Sequence, residues 1–265
     1  AWMMCALPVS WIWSGSRHSP RDFLAGDESP ATHCPQGPAP TEILMMTDLP
    51  MRAAQAGLPE AVRIFEVGPR DGLQNEQHII EVDTKVEFIN RLIAAGLPIV
   101  EATSFVHPKW VPQLADAAEV VARLPLDGPV PLPVLVPNER GLDRALAAGC
   151  KDIAIFGSAT ETFAQKNLNS TYAEQFATFA PVVTRAREAE VSVRGYLSMC
   201  FGDPWEGRVP IDTVVEAGLR LLDLGVNELS LGDTIGVGTA GHVHDLIAAF
   251  VDAGVPVSKI AMHFH

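Results

Sequence analysis

The chain has 265 residues, 48% of them hydrophobic, and a formal charge of −13. An acid excess of this size argues against nucleic acid as partner, because phosphate binding wants a basic face. No apolar run approaches the roughly 20 residues of a membrane helix, and the length allows one large α/β domain or two small ones.

Residues 1–60 differ from the rest. They hold two of the four cysteines and three of the five tryptophans, with many Pro and Ser and no sustained periodicity. The apolar stretch near the start is short and broken by Pro8, and an acid appears by Asp22, which disfavours a signal or transit peptide. An irregular or disordered extension, or translated upstream sequence with a start at Met46 or Met51, is expected. The folded domain is expected over 61–265. Cys5, Cys34, Cys150 and Cys200 show no CxxC or metal spacing. Free thiols in a reducing compartment follow. A cytoplasmic protein of bacterial type is expected, with a mitochondrial location left open.

From residue 61 one unit repeats: an apolar helix closed by Gly, then a short strand. Gly96, Gly149, Gly225 and Gly254 end the helices, where the left-handed conformation costs Gly nothing. Strands are predicted near 63–67, 98–103, 132–136, 152–157, 191–198, 227–232 and 259–265. Asp83 or Thr84 is expected to cap the first helix, Thr171 with Glu174 to form a capping box, and Pro210 to open a helix. Strands alternating with helices imply a parallel sheet. No GxGxxG follows the first strand, which disfavours a dinucleotide fold.

Polar residues fall at the C-terminal ends of the strands. They include Arg70 and Asp71, Glu101 with Thr103 and Ser104, Asn138, Ser158, Arg194 with Tyr196 and Ser198, Asp233 with Thr234, and His263 with His265. Every strand contributes. An open sheet binds ligand at one switch point, whereas a closed barrel gathers all its strand ends at one mouth. The pattern predicts an α/β TIM (β/α)8 barrel whose eighth βα unit is absent from this chain.

His263 and His265 are two apart on a strand and point the same way. With Asp71 they form a two-histidine, one-carboxylate set suited to Mg²⁺ or Mn²⁺. The competing reading is one buried and one surface histidine. Arg70 is either half of a loop salt bridge or a cation aimed at a developing enolate. Glu101, inside an apolar run, wants a partner such as Arg70. Asp233 is either a helix N-cap or an active-site acid or base. Lys109, Lys166 and Arg208 follow strands 2, 4 and 5 and are candidates for phosphate contact, though each alone reads as a surface charge. Cys200 reads as structural, because nothing activates it. His242 and His244 do not share a helix face.

The stretches Val67–Glu76, Glu101–Val106 with Pro108–Gln113, Ser192–Tyr196, Ser230–Gly238 and His263–His265 closely resemble hydroxymethylglutaryl-CoA lyases over about 62–265. The resemblance implies cleavage of 3-hydroxy-3-methylglutaryl-CoA to acetyl-CoA and acetoacetate, in leucine breakdown and ketone-body formation. It makes Asp71, His263 and His265 metal ligands. It makes Arg70, Glu101 and Asp233 catalytic, and gives Gln74, Arg194 and Tyr196 to substrate binding. The expected partners are an acyl-CoA substrate and a second copy of the chain as homodimer, without nucleic acid or membrane. The family also has an Asn ligand and a catalytic Cys in a glycine-rich loop, neither matched here, so the isolated 265-residue chain is expected to be inactive and poorly stable. A lyase on a related 3-hydroxyacyl-CoA, a condensing acyl-CoA synthase of the same superfamily, and a non-catalytic scaffold are the competing readings.

Overall fold

The structure is a computed structural model that describes residues 61–265. The expectations for 1–60 lie outside the described residues. Eight short strands occupy seven wall positions: β1 (Phe65–Glu66), β2 (Ile99–Val100), β3 (Thr103–Ser104), β4 (Val134–Leu135), β5 (Asp152–Ser158), β6 (Ser192–Ser198), β7 (Glu228–Asp233) and β8 (Ile260–Phe264). β2 and β3 are halves of one strand. At their junction Glu101 N–H reaches back to Glu66 O at 2.7 Å, and Ala102 N–H reaches forward to Pro133 O at 2.8 Å. All pairings are parallel and follow chain order. The seven predicted strands are all present.

Contacts across the interior distinguish a closed wall from a flat sheet. β1 and β7 are five positions apart, about 24 Å in a flat sheet at roughly 4.8 Å per strand. Yet Arg63, just before β1, pairs with Glu228 on β7 at 3.1 Å. The guanidinium of Arg194 on β6 lies 3.9 Å from the centre of the Phe65 ring on β1. The wall therefore curves round a filled interior, as seven positions of a (β/α)8 barrel.

The crossovers contain α1 (Val82–Ala94), α2 (Ala117–Ala122), α3 (Glu139–Ala147), α4 (Tyr172–Glu188), α5 (Ile211–Leu224) and α6 (Ala240–Asp252). The main core lies between the outer face of the wall and these helices. It includes Ile153, Val193 and Leu229 of strands with Leu142, Phe179 and Phe250 of helices. Inside the barrel Leu135, Ala154, Phe156 and Tyr196 form a smaller apolar layer. The closing glycines take φ values of 80° to 105° at Gly96, Gly149, Gly225 and Gly254, as the repeat requires.

Helix starts depart from expectation in two places. Neither Asp83 nor Thr84 caps α1, which begins after an extended Glu81 without a side-chain cap. Asp83 instead pairs with Arg123 at 2.6 Å. Pro210 sits before α5 in extended backbone, not in its first turn, and Ile211 is the first helical residue. The Thr171–Glu174 capping box is present in both directions.

Candidate active site

The loop after β1 builds the first half of the site. Gly68–Gly72 coil into one wide helical turn, with Arg70 N–H and Asp71 N–H both bonded to Val67 O at 3.0 and 2.7 Å. Glu66 accepts the Gly68 N–H at 2.6 Å, and a Cβ at Gly68 would lie 2.8 Å from that carboxylate. This close approach turns Arg70 inward, where it is 3% exposed. Its Nε donates to Glu101 Oε1 at 2.5 Å and its Nη1 to Asp71 Oδ1 at 2.6 Å. Burial works against the charge, but the carboxylates of Glu101 and Asp71 outweigh it, and Arg70 ionises further above its usual range.

Glu101 is wholly buried between two partners, Arg70 and the Tyr196 hydroxyl, which donates to Oε2. Burial, then the Glu101 charge, pushes the Tyr196 phenol up. The Arg70 guanidinium lies 5.5 Å from the centre of the Tyr196 ring. A buried acid with a fork of charge-assisted donors is satisfied, and this is the partner its apolar surroundings demanded.

The end of β8 supplies the second half. His263 and His265 stack with ring centres 4.8 Å apart and planes 8° from parallel, while Phe264 points out to solvent. His263 Nε2 stands 3.7 Å from Asp71 Oδ2, too far for a hydrogen bond. Ligand atoms of Asp71, His263 and His265 lie within 4.8 Å of one another. Burial pushes His263 down to about 4; Asp71 opposes this and His265 adds to it. The His263 imidazole thus faces Asp71 without a direct hydrogen bond between them. Asp71 keeps Oδ1 for Arg70 and the Gln74 amide, at 3.3 Å for the latter.

These groups open on a cleft of about 700 Å³. A neighbouring hollow of about 480 Å³ shares Gln74, Asn75, Leu135 and Phe156 with it. The cleft is lined by Arg70, Asp71, Gln74, Tyr196, His263 and His265 among the residues expected from sequence. Arg194 lies one layer deeper on β6, ion-paired with Glu228 and 5.2 Å from the Tyr196 ring centre. Asp233 is buried at the end of β7. Its Oδ1 accepts the Val237 N–H and its Oδ2 the Gly238 N–H, each at 2.9 Å, and the cap of α6 is Thr239 instead.

The three loop cations stand away from the cleft. Lys109 lies over Trp110 and Lys166 over Trp205, at 5.9 and 4.9 Å from the ring centres. Arg208 borders a separate groove. Cys200 is buried with Sγ donating to Leu197 O at 3.1 Å, and burial pushes its thiol up. His242 packs edge-on to Phe201.

Sequence reasoning gave no role to Thr234 or Ser198, and it passed over the apolar wall of Leu135, Phe156 and Phe163. Thr234 Oγ1 accepts the Met199 N–H at 2.8 Å. Strand alternation signals Ser198 and Phe156, because they share a face with Tyr196 and Ala154 respectively. Phe163 ends a short helical turn, Glu161–Phe163, and has no such signal.

The HMGL-like family model matches residues 61–265. The chain is 52% identical over 210 residues to the mitochondrial hydroxymethylglutaryl-CoA lyase of Arabidopsis thaliana, covering 79% of this chain and 44% of the relative. The lyase crystal structure from Pseudomonas aeruginosa matches at 46% identity and TM-score 0.76, covering 78% of this chain and 69% of that one. One from Acinetobacter baumannii, in complex with coenzyme A and 3-methylmalate, matches at 31% identity and TM-score 0.72, covering 77% and 66%. Relatives of the same name include mitochondrial and cytoplasmic forms. The chain thus spans less than half the length of the Arabidopsis relative. With the barrel, the arginine–aspartate turn and the paired histidines in place, the chain belongs to the HMGL-like family.

Proposed function

We propose that the protein is a carbon–carbon lyase that cleaves 3-hydroxy-3-methylglutaryl-CoA to acetyl-CoA and acetoacetate, assisted by Mg²⁺ or Mn²⁺. The observation that carries this reading is the meeting of Arg70 with the Asp71, His263 and His265 cluster in one cleft. Asp71, His263 and His265 would hold the cation. The donor set suits it: one hard oxygen and two imidazoles, one of them neutral, leaving positions for water and substrate. A bound divalent ion supplies Lewis-acid polarisation of the substrate's hydroxyl and a neighbouring oxygen.

The residues do the rest. Breaking C2–C3 leaves negative charge on the thioester oxygen, and Arg70 is proposed to receive it. Its guanidinium is always charged and already held on two sides, so little reorganises as the charge develops. Glu101 is proposed to act by aiming Arg70. Asp233 is proposed for proton transfer: each of its oxygens accepts one backbone N–H and keeps a second lone pair for a proton. Gln74 and Tyr196 are proposed to contact substrate, with Arg194 acting beneath Tyr196. Thr234 adds a hydroxyl to the same wall.

The relatives support the substrate class. The Acinetobacter baumannii structure is in complex with coenzyme A and 3-methylmalate. Homodimeric assembly is proposed on the resemblance, and a cytoplasmic location is proposed with a mitochondrial one as its alternative. Light scattering at the mass of a single 28.5 kDa chain would contradict the dimer. The decisive assay incubates the protein, expressed from its native reading frame, with 3-hydroxy-3-methylglutaryl-CoA and Mg²⁺ or Mn²⁺. Equal amounts of acetyl-CoA and acetoacetate are expected, and none after chelation. Intact thioester with metal present overturns the reading.

A further inference from the structure

We propose that Asp203 is a positioning residue: it locks the loop after β6 to the loop after β5 and thereby sets the cleft wall formed by Phe163. The proposal rests on the reading of the cleft as an acyl-CoA site.

Asp203 is 3% exposed, with no cation at salt-bridge distance among the described residues. A buried carboxylate without a counter-charge is costly unless donors surround it. Three do. Trp205 N–H and Glu206 N–H bond Oδ1 at 2.7 and 2.9 Å. The hydroxyl of Thr160, 4% exposed, bonds Oδ2 at 2.6 Å across 43 residues of sequence. The first two bonds fold the loop on itself, closed by a reciprocal backbone pair between Asp203 and Gly207 at 2.8 Å. The third joins that loop to β5.

Thr160 is itself anchored. Its N–H bonds Ser158 Oγ at 3.0 Å, and the Gln175 side chain on α4 clasps Ser158 N–H and O at 2.8 and 2.9 Å. A buried chain thus runs from α4 through Ser158 and Thr160 to Asp203. A second, exposed link joins Thr162 N–H to Glu206 Oε1 at 2.5 Å. Phe163, 2% exposed, follows directly after these links and stands against the Trp205 ring at 6.4 Å, facing the cleft. Exposed bonds hold little, so the buried Asp203–Thr160 contact is the one that fixes Phe163. Asp203 does not line the cleft and acts only through that ring.

The test uses the protein from its native reading frame with 3-hydroxy-3-methylglutaryl-CoA and Mn²⁺. Thr160→Val removes the cross-loop bond together with the local contact of Thr160 Oγ1 with Ser158 Oγ at 3.2 Å, and Phe163→Leu trims the wall. Each is expected to raise KM about tenfold with kcat within about twofold, the signature of lost uniform binding. Mn²⁺ affinity should not move. The double variant should raise KM about tenfold again relative to the parent, not about a hundredfold, because both changes break one wall. Thr160→Ser, which keeps the hydroxyl, should restore the parental KM. Thr160→Ala, which also lacks the hydroxyl, gives the same reading should Thr160→Val fail to fold. Unchanged KM in the single variants, or a multiplicative double variant, overturns the positioning role. A parent that cleaves no acyl-CoA is a different result and overturns the functional reading itself.

Discussion

At the scale of single residues, the site depends on how one guanidinium is held. Arg70 has a buried partner, Glu101, on one side and a half-buried one, Asp71, on the other, and Glu101 is in turn fixed by Tyr196. Glu101→Gln keeps the shape and removes the charge. Breaking a buried pair by changing one partner costs about 3 kcal/mol, and urea unfolding should show a loss of that order, with kcat lower by at least about a hundredfold. Arg70→Lys keeps the charge but loses the planar fork. Cleavage should fall by about 10²–10³ while Mn²⁺ affinity is retained; equal kcat in the two enzymes would show that a point charge suffices. The charged residues of this cleft were legible because acids, arginine and histidine at strand ends have few other uses. Phe156, Phe163 and Leu135 were not, since an apolar side chain at a mouth looks like any core residue until the loops are placed. The depth of Arg194 was likewise hidden: alternation puts it on the same face as Tyr196 but does not say which of the two reaches the cleft.

At the scale of elements, helix ends were read better than helix starts. A closing glycine has a physical signature, the left-handed backbone, and all four repeat glycines adopt it. A start needs only an extended residue before it, and Glu81 and Pro210 serve without any side-chain cap. α4 also runs through Pro181, where sequence rules would end a helix. Its capping box compensates at the other end. Thr171→Ala should cost about 1 kcal/mol in denaturant unfolding. One close element contact is at α5, where a Cβ on Gly218 would lie 2.6 Å from the Phe250 ring of α6 and 2.8 Å from Leu229 of β7. Gly218→Ala should therefore destabilise by about 1–3 kcal/mol through overpacking, despite the higher helix propensity of Ala. A stabilised variant in the same experiment would mean the helix shifts freely.

At the scale of the whole molecule, the parallel order of the strands was evident from their alternation with helices, but the closing of the wall was an inference from where polar residues fall. The contacts of Arg63 with Glu228 and of Arg194 with Phe65 make it physical. Closure is what lets the first and last described strands build one site. Asp71 follows β1 and His263 lies on β8, 192 positions apart in sequence, yet their side chains stand 3.7 Å apart. The central claim is that this junction holds a divalent cation. Mn²⁺ binding, followed by loss of the free-ion electron paramagnetic resonance signal, tests it most directly. The account predicts one ion per chain in the parent and at least about tenfold weaker binding in both Asp71→Ala and His263→Ala. Absence of binding in the parent, or parental affinity in both variants, would contradict it.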